Sequence, residues 1–154
     1  MSSDKSQSLK DFFVLWQSGV GSYENFFETI SKTVWDRFLK ANNQYVVLGS
    51  ASKNARPILE KVNILHYFDV LVDGNDVTHA KPDPEVFLQG ANQVQVAYKD
   101  AIVFEDSVAG IQAANVAGMT SVGIGEKEVL HESDFCFRDF TEMSNDFIMQ
   151  LINK

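Results

Sequence analysis

The 154-residue chain is 45% hydrophobic, long enough to bury one core and too short for two comfortable domains. Thirteen Lys and Arg against twenty-one Asp and Glu give a formal charge of -8, and no basic run interrupts the acidic excess, which argues against nucleic acid or an anionic membrane as partner. Cys136 is the single cysteine, so an intrachain disulfide is excluded; no apolar run approaches the roughly 18 residues of a membrane span, and the polar start lacks a signal peptide's apolar core, from which a cytoplasmic location is expected.

Residues 1–8 are polar and serine-rich and are expected to form a flexible N-terminus, with one core domain over 9–154. Leu9, Phe12, Phe13 and Trp16 have helical spacing, but residues 12–16 are also five consecutive apolar residues suited to a strand buried on both faces; both readings stand. Ser22 can cap a helix running to about Ala41, with Tyr23, Phe26, Phe27, Ile30, Val34 and Phe38 on one stripe. Residues 45–49 and 68–72 are apolar, β-branched runs ending in turn residues, and both predict buried strands. Between them Pro57, Ile58, Leu59 and Val62 fit a helix that begins near Ser52 or Asn54. Asp83-Pro84-Glu85 starts a helix over 84–95, with Asp83 as cap and Phe87, Leu88, Ala91 and Val94 facing inward. Residues 101–104 and 120–124 predict further strands, separated by a small-residue helix from Ser107 to Ala117 that Gly118 closes. The tail predicts a short strand at Phe135-Cys136-Phe137 and an amphipathic helix over 143–152. Strand and helix alternate, which predicts an α/β fold with a parallel sheet, and such sheets place ligands beyond the carboxyl ends of their strands.

Three of those ends carry polar groups that a plain connection does not require. Ser50 follows the first strand directly, with Ser52, Lys53 and Asn54 at the helix start behind it, so hydroxyls, an ammonium and free backbone N–H groups converge where an anion is stabilised. Lys81 lies in Ala80-Lys81-Pro82-Asp83-Pro84, one cation on a backbone stiffened by the two prolines that follow. Glu105-Asp106 ends a buried strand, where adjacent carboxylates are costly unless a cation or donors compensate them. Taken singly, Ser50 or Ser52 reads as a helix cap, Lys81 as a surface lysine and Glu105-Asp106 as a capping pair. Their joint placement points instead to a site for phosphate and magnesium.

These residues resemble the haloacid dehalogenase (HAD) superfamily in its β-phosphoglucomutase-like branch. Val46-Val47-Leu48-Gly49-Ser50-Ala51-Ser52-Lys53-Asn54 is similar to that branch's second motif, Lys81-Pro82-Asp83-Pro84 with Phe87 to its third, and Phe104-Glu105-Asp106-Ser107 through Ala109-Gly110-Ile111 to its fourth. The resemblance implies a three-layer, doubly wound parallel sheet, a HAD-like Rossmannoid core, with residues 12–16 as its central strand. It further implies that Ser50 and Lys81 act on the transferring phosphoryl group, that Ser50, Ala51, Ser52, Lys53, Asn54 and Lys81 bind substrate, and that Asp106 ligates Mg2+ with support from Glu105. The substrate so implied is a phosphorylated sugar or another small phosphate ester.

The family's first motif, a strand ending in Asp-x-Asp-Gly that supplies the nucleophile and the acid/base, has no counterpart: no Asp stands two residues from another anywhere in the chain. The nearest shape match puts Trp16 and Ser18 in those places, ahead of Gly19-Val20, and neither side chain can replace a carboxylate there. About 23 residues from Gly21 to Asn43 suffice for one helix and not for the family's helical cap domain, so no cap domain is expected. Two functions follow: a magnesium-assisted phosphosugar phosphatase or phosphomutase core, or a catalytically inactive, truncated or degenerate HAD domain that binds phosphate or a protein partner. His66, His79 and His131 are too scattered for a metal cluster, though His79 stands two residues from Lys81; Cys136 between two Phe reads as a buried small hydrophobe.

Overall fold

Residues 45–61 and 63–152 are described by the computed structural model. β1 (Val47–Gly49) pairs in parallel with β2 (Val70–Val72), Val47 opposite Val70 and Gly49 opposite Val72. β3 (Ile102–Glu105), β4 (Thr120–Ile124) and β5 (Phe135–Phe137) form a second parallel sheet in that order. Helix α1 (Ala55–Lys61) follows β1, α2 (Glu85–Gln93) joins β2 to β3, α3 (Val108–Val116) joins β3 to β4, and α4 (Asn145–Ile152) follows β5. The β4–β5 crossover is an irregular loop pinned by buried Leu130.

The strands read as continuous apolar runs because both of their faces are covered. In β3 the period of two sends Ile102 and Phe104 to one face, with Val122, Phe140 and the α4 residues Ile148 and Leu151, and Val103 to the other, with Phe87 and Ala91 of α2 and Ala113 and Ala114 of α3. The same two clusters take in Val46, just before β1, and Val47 and Val72 of the first sheet, so the two sheets share one interior. A smaller cluster, Leu48, Ala55, Leu59 and Ile64, seats α1.

The strands expected over 45–49, 68–72, 101–104 and 120–124 are present within two residues at each end, as are the tail strand and helix. The alternative readings of residues 12–16, the helix from Ser22, the flexible 1–8 stretch and the segment expected to lack a cap lie outside the described residues. Two details differ. In α1 the buried pair is Ala55 and Leu59, four apart, while Ile58 is 40% exposed, because a seven-residue helix turns only one narrow edge inward. In α2 Pro84 occupies the cap position; having no N–H of its own, it leaves Glu85 as the first free donor, and the Asp83 carboxylate takes that N–H at 2.9 Å.

Candidate functional site

The chain leaves β1 through Ser50, which is fully buried and extends the β1–β2 ladder by donating its N–H to the Val72 carbonyl at 2.9 Å. The Ser50 hydroxyl accepts the Ser52 N–H at 3.1 Å and the Ser52 hydroxyl accepts the Asn54 N–H at 3.2 Å, so the two serines wind the loop toward α1. Each hydroxyl thus accepts an N–H two residues on and ahead of α1, a local turn and not the helix cap read for each singly, and each keeps an O–H proton to donate. Ala51, Lys53 and Asn54 are exposed around them.

A second loop supports this one from beside it. Gly74 donates to the Ser52 carbonyl and Asn75 Nδ2 to the Lys53 carbonyl, each at 3.4 Å, and a Cβ at position 74 would run into the Ala51 carbonyl oxygen. Asp73, buried at the end of β2, accepts from both the N–H (2.7 Å) and the side-chain amide (3.0 Å) of Asn75. Sequence reasoning took Asp73-Gly74-Asn75 only as a turn; what it missed is that this turn shapes the Ser50–Asn54 loop.

Lys81, which reads as a surface lysine when taken alone, is buried. Its side chain is 5% exposed, its ammonium pairs with Glu105 Oε1, and Nζ stands 4.6 Å from the centroid of the Phe87 ring. Burial pushes the Lys81 ammonium below the ordinary lysine range, with Glu105 and then Asp106 pulling it back up. Glu105 is wholly enclosed: while Lys81 holds Oε1, Oε2 accepts from the N–H (3.2 Å) and hydroxyl (2.9 Å) of Ser107. Ser107 caps α3 in turn by accepting the Gly110 N–H at 3.0 Å. The cap of this helix is therefore Ser107, and Glu105-Asp106 stands before it. Asp106, next along, is exposed.

The arrangement separates the two carboxylates chemically. Both Glu105 oxygens are engaged by protein donors, which fits a counter-ion for Lys81; Asp106 carries a hard oxygen donor at the surface, of the kind that would hold a magnesium ion. The structure thus brings Lys81 and Glu105 into contact and sets Asp106 beside them, while Ser50, Ser52 and Asn54 form their own hydrogen-bonded loop after β1.

His79, Asp83 and Glu85 also converge, within 4.8 Å of one another. Their atoms are used by the backbone: Glu85 accepts the N–H groups of Thr78 (2.9 Å) and His79 (2.7 Å), the Thr78 hydroxyl and the Gln89 amide, and meets His79 Nδ1 at 3.0 Å. This is a clamp that closes the loop ahead of Lys81 onto α2. Sequence reasoning, which considered His79 alone, did not pair it with Glu85.

A family profile for haloacid dehalogenase-like hydrolases matches residues 3–124. Among curated proteins, the β-phosphoglucomutase of Bacillus subtilis is 34% identical over 110 residues, 71% of this chain and 49% of that one. The fructose-1-phosphate phosphatase of Escherichia coli is 42% identical over 76 residues, 49% of this chain and 40% of its own. Among solved structures, a β-phosphoglucomutase from Clostridium difficile superposes with a TM-score of 0.70 and 36% identity, over 75% of this chain and 52% of that one. The chain spans about half the length, or less, of these curated relatives. With its parallel α/β core, and with motifs at three strand ends, the chain belongs to the haloacid dehalogenase superfamily, in the β-phosphoglucomutase-like branch.

Proposed function

We propose that this chain binds phosphorylated sugars or other small phosphate esters at the carboxyl ends of β1 and β3, in the manner of a magnesium-assisted phosphoryl-transfer site. The observation that carries the reading is the buried Lys81 ammonium, held by Glu105 next to an exposed Asp106. A lysine side chain is seldom enclosed without a task, and here the enclosure fixes a positive charge at the place where phosphoryl oxygens gather negative charge.

Lys81 neutralises the phosphoryl group, Ser50 donates its hydroxyl proton to a phosphoryl oxygen, and Ser52, Lys53 and Asn54, with the Ala51 backbone, hold a distal phosphate or sugar hydroxyl. Asp106 would hold the magnesium ion, whose charge, when bound, stabilises the phosphoryl oxygens. Glu105 acts through Lys81, by keeping the ammonium aimed. The setting is cytoplasmic. Turnover stays at background, because positioning and positive charge lower the barrier only for an attack that some group delivers, and no Asp-x-Asp pair is present to deliver it.

Binding is tested by titrating inorganic phosphate and glucose 6-phosphate into the wild type, Lys81→Ala, and Lys81→Met with Glu105→Gln, following NMR shifts. Millimolar binding is expected for the wild type and none for the variants, since each charge-assisted hydrogen bond contributes about 1.5 to 3 kcal/mol at best. Equal responses from all three would sink the reading. With p-nitrophenyl phosphate and magnesium, background turnover is expected, rising in Trp16→Asp with Ser18→Asp once circular dichroism shows the double variant to be folded. Robust wild-type turnover that Asp106→Ala abolishes would overturn the claim of background activity.

A further inference from the structure

We propose that Gly110 is a positioning residue: its bare Cα lets the first turn of α3 close over the Glu105 carboxylate, and this closure aims Glu105 at Lys81. Gly110 has no positive φ, so its backbone does not require glycine, and inside a helix alanine is the better residue. The reason for glycine is therefore spatial. A Cβ at position 110 would overlap the carboxyl carbon and both oxygens of Glu105.

Gly110 acts on the carboxylate twice. Its N–H donates to Ser107 Oγ at 3.0 Å, and that hydroxyl donates to Glu105 Oε2 at 2.9 Å, a relay that fixes which oxygen faces the helix. With Oε2 so occupied and the carboxylate lying against the glycine, Oε1 is turned to the Lys81 ammonium. A methyl group at 110 cannot coexist with this placement while Ser107 keeps its cap. Either the carboxylate swings away from Lys81 or the helix lifts from β3.

The importance of this placement for anion binding rests on the function proposed above; the placement itself is measured without a ligand. The NMR signals of the Lys81 ε-methylene and ζ-ammonium report the ion pair directly, and inorganic phosphate reports the anion site. In Gly110→Ala the Lys81 signals are expected to move toward those of Glu105→Gln, and phosphate binding to weaken by about tenfold or more, the effect of losing one charge-assisted hydrogen bond. Adding Glu105→Asp, whose shorter side chain makes room for the methyl, is expected to return the Lys81 signals part of the way to the wild type. Wild-type Lys81 signals in folded Gly110→Ala would overturn the proposal. If Gly110→Ala fails to fold, recovery of folding in Gly110→Ala with Glu105→Asp supports it, and failure of both overturns it. A wild type that ignores phosphate, with Lys81 signals that still respond to Gly110→Ala, refutes the proposed function and leaves the role of Gly110 standing.

Discussion

Removing the Lys81 side chain leaves the Glu105 carboxylate enclosed, with Ser107 on one oxygen and the Phe87 ring near the place of the other's lost partner. Breaking a buried pair from one side costs far more than exchanging both partners, so urea denaturation of Lys81→Ala should show a loss of about 3 to 5 kcal/mol. Lys81→Met with Glu105→Leu should lose clearly less; an equal loss would mean that packing, not charge, sets the cost. The places of Ser50, Lys81, Glu105 and Asp106 after the expected strands put them forward together as candidates. That Glu105 is enclosed while Asp106 is exposed was not legible, because the partners of Glu105 lie at 81, 24 residues back, and at the cap of the following helix. Residue type announces a charge; only the fold says which charge it meets.

The helices show the same limit one level up. The start of α3 at Ser107 was legible, but the capping role was read on Glu105-Asp106; it is the Ser107 hydroxyl that takes the Gly110 N–H, and Ser107→Ala should cost about 1 kcal/mol or somewhat more, by thermal or urea unfolding, through the lost cap. The buried face of α1 was not legible, because apolar residues that fit a helix do not say how much of it a short helix can cover. The clamp onto α2 was not visible at all, since it depends on a loop folding back on itself. There the Thr78 and His79 N–H groups hold the Glu85 carboxyl down at about 2, against 4.5 for the free group. A carboxyl with a lowered folded value adds stability that is complete above about pH 4.5 and disappears as the pH falls toward 2. Amide signals of Thr78 and His79 should therefore shift, and exchange faster, between these values and not above them; in Glu85→Gln the dependence should vanish. A transition centred near the free-group value would show that the clamp is not formed in solution.

For the molecule as a whole, the alternation of strand and helix made the parallel α/β class legible, because runs buried on both faces leave few other architectures. How the pieces join was less so: two sheets contribute to the same two clusters, Val47 and Val72 to the one that holds Val103, and Val46 to the one that holds Ile102 and Phe104. A shared interior should unfold as one unit, so transitions followed by circular dichroism and by amide NMR should coincide, and Phe104→Ala should lower both together by about 3 to 5 kcal/mol. Separate transitions would mean that each sheet has its own interior. The enclosure of Lys81 has a consequence for reagents as well as for ligands. Of the five lysines among the described residues, Lys53, Lys61, Lys99 and Lys127 are open to solvent and Lys81 is roofed by an aromatic ring and locked to a carboxylate. An amine-directed acylating label should decorate those four quickly and reach Lys81 only as the protein opens, which turns the labelling rate at this one position into a clock for breathing around the carboxyl end of β3.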